Sequence, residues 1–221
     1  DYTKLRNKDS IRNLININFE KKKNEINKLI NFCKKPYFLI FIKYYDKDYN
    51  NISGSASRQT SNLKKVENII KFLLTKKYNI LVIGNQFDKS IEEIKKFNLN
   101  YENEKLDFFL NLSDNYSLFD QLYAVNNSKG FIGNGCGFTE PVYFQKKKLV
   151  IFDYPYDPIR DPRHNANYKK FLYKKVEING ETKILDIPFI EKILKNKDLE
   201  YKVIDTEIDI IKKEIKNTFN I

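Results

Sequence analysis

Three short, uninterrupted apolar runs constrain this chain more than any other feature: Phe38-Leu39-Ile40-Phe41-Ile42, Ile80-Leu81-Val82-Ile83 and Leu149-Val150-Ile151-Phe152. None alternates with polar residues, so none suits a strand with one face in water. Such runs fit strands covered on both faces, as in a parallel sheet. The segments between them carry a helical period. Over 62–76, Leu63, Val66, Ile69, Ile70 and Leu73 share one helix face. Segment 10–34 places Ile11, Leu14, Ile15 and Phe19, then Ile26, Leu29, Ile30 and Cys33, at spacings of three and four, with Ser10 as N-cap and Pro36 as the stop. Ser117 opens a helix to about 128, with Leu118, Leu122 and Val125 inward, and another helix begins near Glu140-Pro141. Gly130-Phe131-Ile132 reads as a short strand, Phe108-Phe109-Leu110 as a further one, and 90–97 as a short helix. Strands alternating with amphipathic helices predict an α/β domain of three layers with a mostly parallel sheet.

Right-handed crossovers place the strand C-termini along one edge, and ligands of such sheets bind there. The loops at that edge are Lys43 to Arg58, Gly84 to Lys89, Gly133 to Glu140, and Asp153 onward. The last third is less regular. Residues 153–170 combine aromatic–proline turns with Arg160, Arg163, His164, Asn165 and Asn167, and a loop of that length is usually functional or disordered. Asp186 and Pro188 start a helix, Tyr201 to Ile204 reads as a strand, and Thr206 caps a final helix carrying Ile208, Ile211, Ile215 and Phe219. There is no internal repeat and no Pro/Gly/Ser linker.

Lys and Arg total 40 against 29 Asp and Glu, a formal charge of +11. That charge attracts phosphate-rich partners such as nucleotides, nucleic acid or an anionic membrane face. Saturation with Lys, Asn and Ile also fits compositional drift in an AT-rich genome. No dense basic-aromatic cluster appears, so no specific nucleic-acid partner is expected. The 15 Tyr and 17 Phe set the chain apart from disordered sequences. No apolar run approaches the ~20 residues of a membrane-crossing helix. Cys33 and Cys136 lie far apart, outside any metal-ligand spacing, and there is one His, so neither a disulfide framework nor a zinc site is expected. The chain opens at Asp1 and contains no Met, which suggests a piece of a longer product.

The segment richest in chemistry is Gly133-Asn134-Gly135-Cys136-Gly137-Phe138-Thr139-Glu140-Pro141. Glycines between a strand and a helix let backbone approach a ligand, and the N–H groups of the following helix suit an anion, with a nucleotide diphosphate as natural occupant. Glu140 would accept from ribose hydroxyls rather than face phosphate. The same segment also reads as a tight turn, with Glu140 favoured by the helix dipole. Its spacing is neither the dinucleotide fingerprint nor a Walker loop. Arg58, one of few arginines among many lysines, suits bidentate phosphate recognition or a solvated helix start. Lys43 leaves the first strand toward the same phosphate or simply toward water. Asp120, three residues after Ser117, has capping-box spacing. His164 is a general acid/base or substrate contact, or a plain surface-loop histidine. Cys136, at a helix start, has one distant His and is a poor nucleophile candidate.

The order of these motifs resembles bacterial surface-polysaccharide glycosyltransferases, in the C-terminal, nucleotide-sugar-binding half of the GT-B fold, a Rossmann-like unit. In that family a strand ends in His-x-Arg-Asp, followed by Arg-Asn before a helix. A second strand ends in Arg-x-Gly-Asp. An Asp opens a later helix, and Ile-Gly-x-x-Ser-Gly precedes another helix and a Pro-Val strand. Here Lys43-Tyr44-Tyr45-Asp46 stands at the first position, Arg58-Gln59 at the second, and Val82-Ile83-Gly84-Asn85 at the third. Asp120 falls close to the family's Asp, and Ile132-Gly133-Asn134-Gly135-Cys136-Gly137 matches the glycine loop, with Cys136 for Ser. Lys148-Leu149-Val150 stands for Lys-Pro-Val, and Phe171-Leu172-Tyr173-Lys174-Lys175 resembles a later Ile-Pro-Lys-Lys element. Two family arginines are absent, and Lys43 stands where one charge is needed.

The resemblance, over about residues 37–195, implies metal-independent transfer of a sugar from a nucleotide-sugar donor to a glycan or lipid-linked acceptor at the cell surface. It implies no cofactor. Cations and backbone amides would stabilise the leaving nucleoside diphosphate. Arg58 and Lys43 are assigned to phosphate, Gly133, Asn134, Gly135, Cys136 and Gly137 to the glycine loop, Glu140 to ribose, Gly84 and Asn85 to base or sugar, and His164 to substrate. The expected setting is cytoplasmic, at the inner membrane face through peripheral association. Residues 1–36 would then be a helical remnant or crossover from a missing N-terminal acceptor-binding half, and 37–221 the donor domain. The alternative is a non-catalytic nucleotide- or glycan-binding module derived from such an enzyme.

Overall fold

The structure is a computed structural model, and it describes residues 27–43, 62–83, 118–135, 139–158, 169–195 and 198–221. The expected helix start at Ser10, the helix at 90–97 and the strand at Phe108–Leu110 lie outside these residues.

Five strands form an all-parallel sheet: β1 (Tyr37–Phe41), β2 (Asn79–Val82), β3 (Gly130–Gly133), β4 (Leu149–Tyr154) and β5 (Lys169–Tyr173), in the order β2-β1-β3-β4-β5. The mostly apolar sequences of β1 to β4 are explained by burial on both sides. One core packs Phe38, Ile40, Val82, Ile132, Val150 and Phe152 against α2 (Leu63–Thr75) and α6 (Ile208–Phe219). The other packs Leu39, Leu81, Phe131, Ile151 and Tyr154 against α1 (Asn27–Cys33), α3 (Leu118–Asn127) and α4 (Thr139–Phe144). Successive strand residues thus feed opposite layers, as the two-residue period requires.

Helix boundaries follow local chemistry. Asn62 caps α2, its side chain accepting from the N–H groups of Lys64 and Lys65. Asp186 accepts from the Phe189 N–H at 2.7 Å and starts α5 (Ile187–Lys195), as its position in the sequence predicts. Two expectations are corrected. Leu118 is 60% exposed, and the inward face of α3 is Asp120, Ala124 and Val125. Thr206 does not cap α6: the N-cap position is Glu207, and the Thr206 N–H is drawn instead to Asp153.

The irregularity expected of the last third does not extend past residue 169. Beyond β5, strands β6 (Lys175–Ile178), β7 (Glu181–Ile184) and β8 (Lys202–Ile204) form an antiparallel sheet in the order β7-β6-β8. The β6–β7 hairpin turns on Asn179-Gly180, both at positive φ (50° and 80°), which is the backbone that a two-residue turn of matching twist needs. Its own small core joins Val176, Leu185, Ile190 and Ile193.

Candidate functional site

The described sheet reverses its winding between β1 and β3: β2 lies on one side of β1, and β3, β4 and β5 follow on the other. In open α/β sheets the crevice at such a switch point, beyond the strand C-termini, is where ligands bind. Phe41 is level with Gly133, and Gly133 with Ile151. Lys43 and the bend Gly133-Asn134-Gly135 therefore emerge side by side at that crevice.

Asn134 shapes the bend. It is fully buried; its Oδ1 accepts from the Lys43 N–H at 2.8 Å and its Nδ2 donates to the Phe152 carbonyl at 3.0 Å. Its own N–H donates to the Phe41 carbonyl at 2.9 Å. One carboxamide thus fastens the ends of β1, β3 and β4. It was expected to contact ligand; the structure gives its side chain to the scaffold.

The glycines answer to the same scaffold. A Cβ on Gly133 would lie 1.9 Å from the Phe41 carbonyl oxygen, and one on Gly135 would lie 2.2 Å from the Tyr154 ring. Both positions exclude any side chain on packing grounds alone. Glu140 occupies the first turn of α4, half-buried. Asp120 is buried in the first turn of α3. Arg58, Gly84, Asn85, Cys136, Gly137 and His164 lie outside the described residues, as does Ser117.

A feature absent from the sequence reading lies behind the bend. Lys65 Nζ stands 3.0 Å from Asp153 Oδ2 and 3.4 Å from Asp205 Oδ2, and Lys174 Nζ stands 3.4 Å from Asp205 Oδ1. Asp153 Oδ1 also accepts from the Thr206 N–H at 2.7 Å. The four side chains are almost wholly removed from water and come from α2, the end of β4, the β5–β6 junction and the approach to α6. Burial pushes the Asp153 carboxyl above the usual carboxylate range, with the Asp205 charge adding to it, against the pull of Lys65, the Thr206 N–H and Lys174. Burial likewise lowers Lys174, opposed by Asp205 and Asp153. A groove of about 430 Å³ opens beside Lys65 and Asp205 between the first turns of α2 and α6, lined also by Asn62 and Thr206. Only matched pairs across distant segments mark such a cluster, and sequence spacing carries no such signal.

Among the described residues no group of three His, Cys, Asp or Glu side chains gathers as metal ligands, and no helix is long and apolar enough to cross a membrane.

No family model matches the sequence, and no curated protein does. Solved structures do match in fold. A glycosyl transferase family 9 protein from Veillonella parvula superposes with a TM-score of 0.54 at 10% identity, over 87% of this chain and 50% of that one. The E. coli ADP-heptose lipopolysaccharide heptosyltransferase II superposes with a TM-score of 0.50 at 11% identity, over 88% of this chain and 52% of that one. This chain has an α/β, Rossmann-like fold, which it shares with half of each of these structures. It spans about half the length of the solved structures it matches.

Proposed function

We propose that this chain is the nucleotide-sugar-binding half of a glycosyltransferase, which moves a sugar from a nucleotide-activated donor to a cell-surface glycan or lipid-linked acceptor without a bound metal or cofactor. The observation that carries this reading is the position of Lys43 and the Gly133–Gly135 bend at the β1/β3 switch point. Charge builds on the leaving diphosphate as the glycosidic bond breaks. Fixed amides and cations at that point stabilise the charge without reorganising. Lys43 and Arg58 serve the phosphates, backbone amides from Gly133 to Gly137 the diphosphate oxygens, and Glu140 the ribose. Gly84, Asn85 and His164 complete the donor contacts. The acceptor site belongs to a partner half N-terminal to this one, at the inner face of the membrane.

Thermal denaturation with a panel of nucleoside diphosphates and nucleotide sugars tests this. A ligand at 100 times its dissociation constant adds about 2.7 kcal/mol of stability, so at least one panel member is expected to raise Tm and Arg58→Ala to abolish the rise. A folded protein that none of the panel stabilises would refute the reading. The absence of two of the arginines that the resemblance implies supports a second reading, a binding module without turnover. Transfer by the full-length product that Arg58→Ala leaves unchanged would remove Arg58 from the catalytic account.

A further inference from the structure

We propose that Asp153 is a positioning residue for the glycine bend: held by the buried quartet, it creates the bulge that turns Tyr154 onto Gly135. The proposal rests on the reading of that bend as a donor site.

In a regular strand, residues 152 and 154 would share a face. Here Phe152 packs with α2 and α6, whereas Tyr154 packs in the opposite core. The change occurs at Asp153, whose φ is 52°, a left-handed backbone that few residues with side chains adopt. The pairing of β4 with β5 shifts register between Phe152 and Tyr154. Bulges of this kind recur beside binding sites, where they re-aim a side chain. The re-aimed ring fills the space over Gly135, and the Phe152 carbonyl just before the bulge takes the Asn134 hydrogen bond.

What holds Asp153 in this conformation is visible in its carboxylate. One oxygen accepts from the Thr206 N–H and the other pairs with Lys65, which also faces Asp205, itself paired with Lys174. The grip comes from α2 and from the entry to α6, on the opposite side of the sheet from Tyr154. The shape of the bend is therefore set from behind the sheet, on the α2 and α6 side.

NMR of the whole chain reads this directly, because the Tyr154 ring shifts the Gly135 signals. Asp153→Ala is expected to lose that ring-current shift and, by misplacing the bend, to weaken binding of ADP or UDP roughly tenfold or more. Asp153→Asn keeps an acceptor for the Thr206 N–H and tolerates the left-handed backbone but loses the pair with Lys65, so it should retain only part of both. Gly135 signals unchanged in Asp153→Ala would overturn the proposal. If the unaltered chain binds no nucleoside diphosphate or nucleotide sugar of the panel, the donor-site reading falls, while the Gly135 signals still decide whether Asp153 shapes the bend. Should Asp153→Ala not fold, Lys65→Gln replaces it: a partial loss of the shift supports the proposal, and an unchanged shift overturns it.

Discussion

The Lys65 ammonium and the Asp153 carboxylate meet at 3.0 Å beneath the C-terminal edge of the parallel sheet, with side-chain exposures of 8% and 0%. Neither has bulk water to fall back on. Breaking one member of a buried pair costs about 3–5 kcal/mol, because the survivor is left charged and alone, whereas removing both is often nearly neutral. Lys65→Met should therefore be strongly destabilising, and Lys65→Met/Asp153→Asn should recover most of the loss. Urea denaturation of the two variants, fitted with a common slope, decides this. A double variant no better than the single one would show that Lys65 acts through packing instead.

The quartet also gives stability a dependence on pH. Asp153 is raised in the folded state, so its contribution is fully present below the ordinary carboxylate value and is lost as pH rises through the folded value. Lys174 is lowered, so its contribution is present above the ordinary lysine value and is lost as pH falls through the folded value. The stability of the unaltered chain relative to Asp153→Asn should fall as pH climbs from the ordinary carboxylate value. A flat difference across that range would contradict the assignment.

Asn134 closes three strand ends, so its loss removes one hydrogen bond from the half-buried Lys43 N–H and one from the buried Phe152 carbonyl. A hydrogen-bonding group left unsatisfied on burial costs about 1–3 kcal/mol. Asn134→Ala should lower Tm accordingly. Asn134→Asp should do no better, since it keeps the acceptor for Lys43 but sets an anion against the Phe152 oxygen. Calorimetry of both variants checks the ranking.

The two glycines of the bend should fail differently. Gly133→Ala meets the Phe41 carbonyl, which is backbone held in a ladder, whereas Gly135→Ala meets the side chain of Tyr154. Tyr154→Leu should partly rescue Gly135→Ala and leave Gly133→Ala unimproved. Soluble yield and Tm of the four variants measure it.

Cys33 should be chemically quiet. Burial pushes its thiol up to about 11, its hydrogen bond to the Tyr37 hydroxyl at 3.2 Å opposing this only in part. In a Cys136→Ser background, labelling by a thiol reagent at neutral pH should be slow until denaturant is added. Rapid labelling of the folded chain would rule out the raised value.

Elements with strong local patterns were legible before any coordinates. The run Phe38–Ile42 corresponds to β1 (Tyr37–Phe41), and the helical period over 62–76 to α2 (Leu63–Thr75), because burial on both strand faces and on one helix face leaves a periodic trace. β8 (Lys202–Ile204) matches the strand read at Tyr201 to Ile204, but the β6–β7 hairpin was missed although its turn, Asn179-Gly180, is a strong hairpin signal. Its strands are short and charged, and β7 is exposed throughout, so no apolar pattern marked them. Of the site, the glycine bend was legible as a strand-to-helix turn, but the reason for its glycines was not. Phe41 and Tyr154 crowd those positions from far along the chain. The quartet was illegible for the same cause: Lys65 and Asp205 are ordinary surface residue types until the fold brings them together.

Lys174 sits where the parallel sheet hands over to the antiparallel one, its N–H bonded to the Tyr154 carbonyl and its ammonium to Asp205. A truncation after β5 would strip Asp153 of its Thr206 contact and Lys65 of its second carboxylate. The tail that looks like an appendage in sequence is thus a buttress, and any minimal expression unit or domain graft has to carry it through to the end of α6.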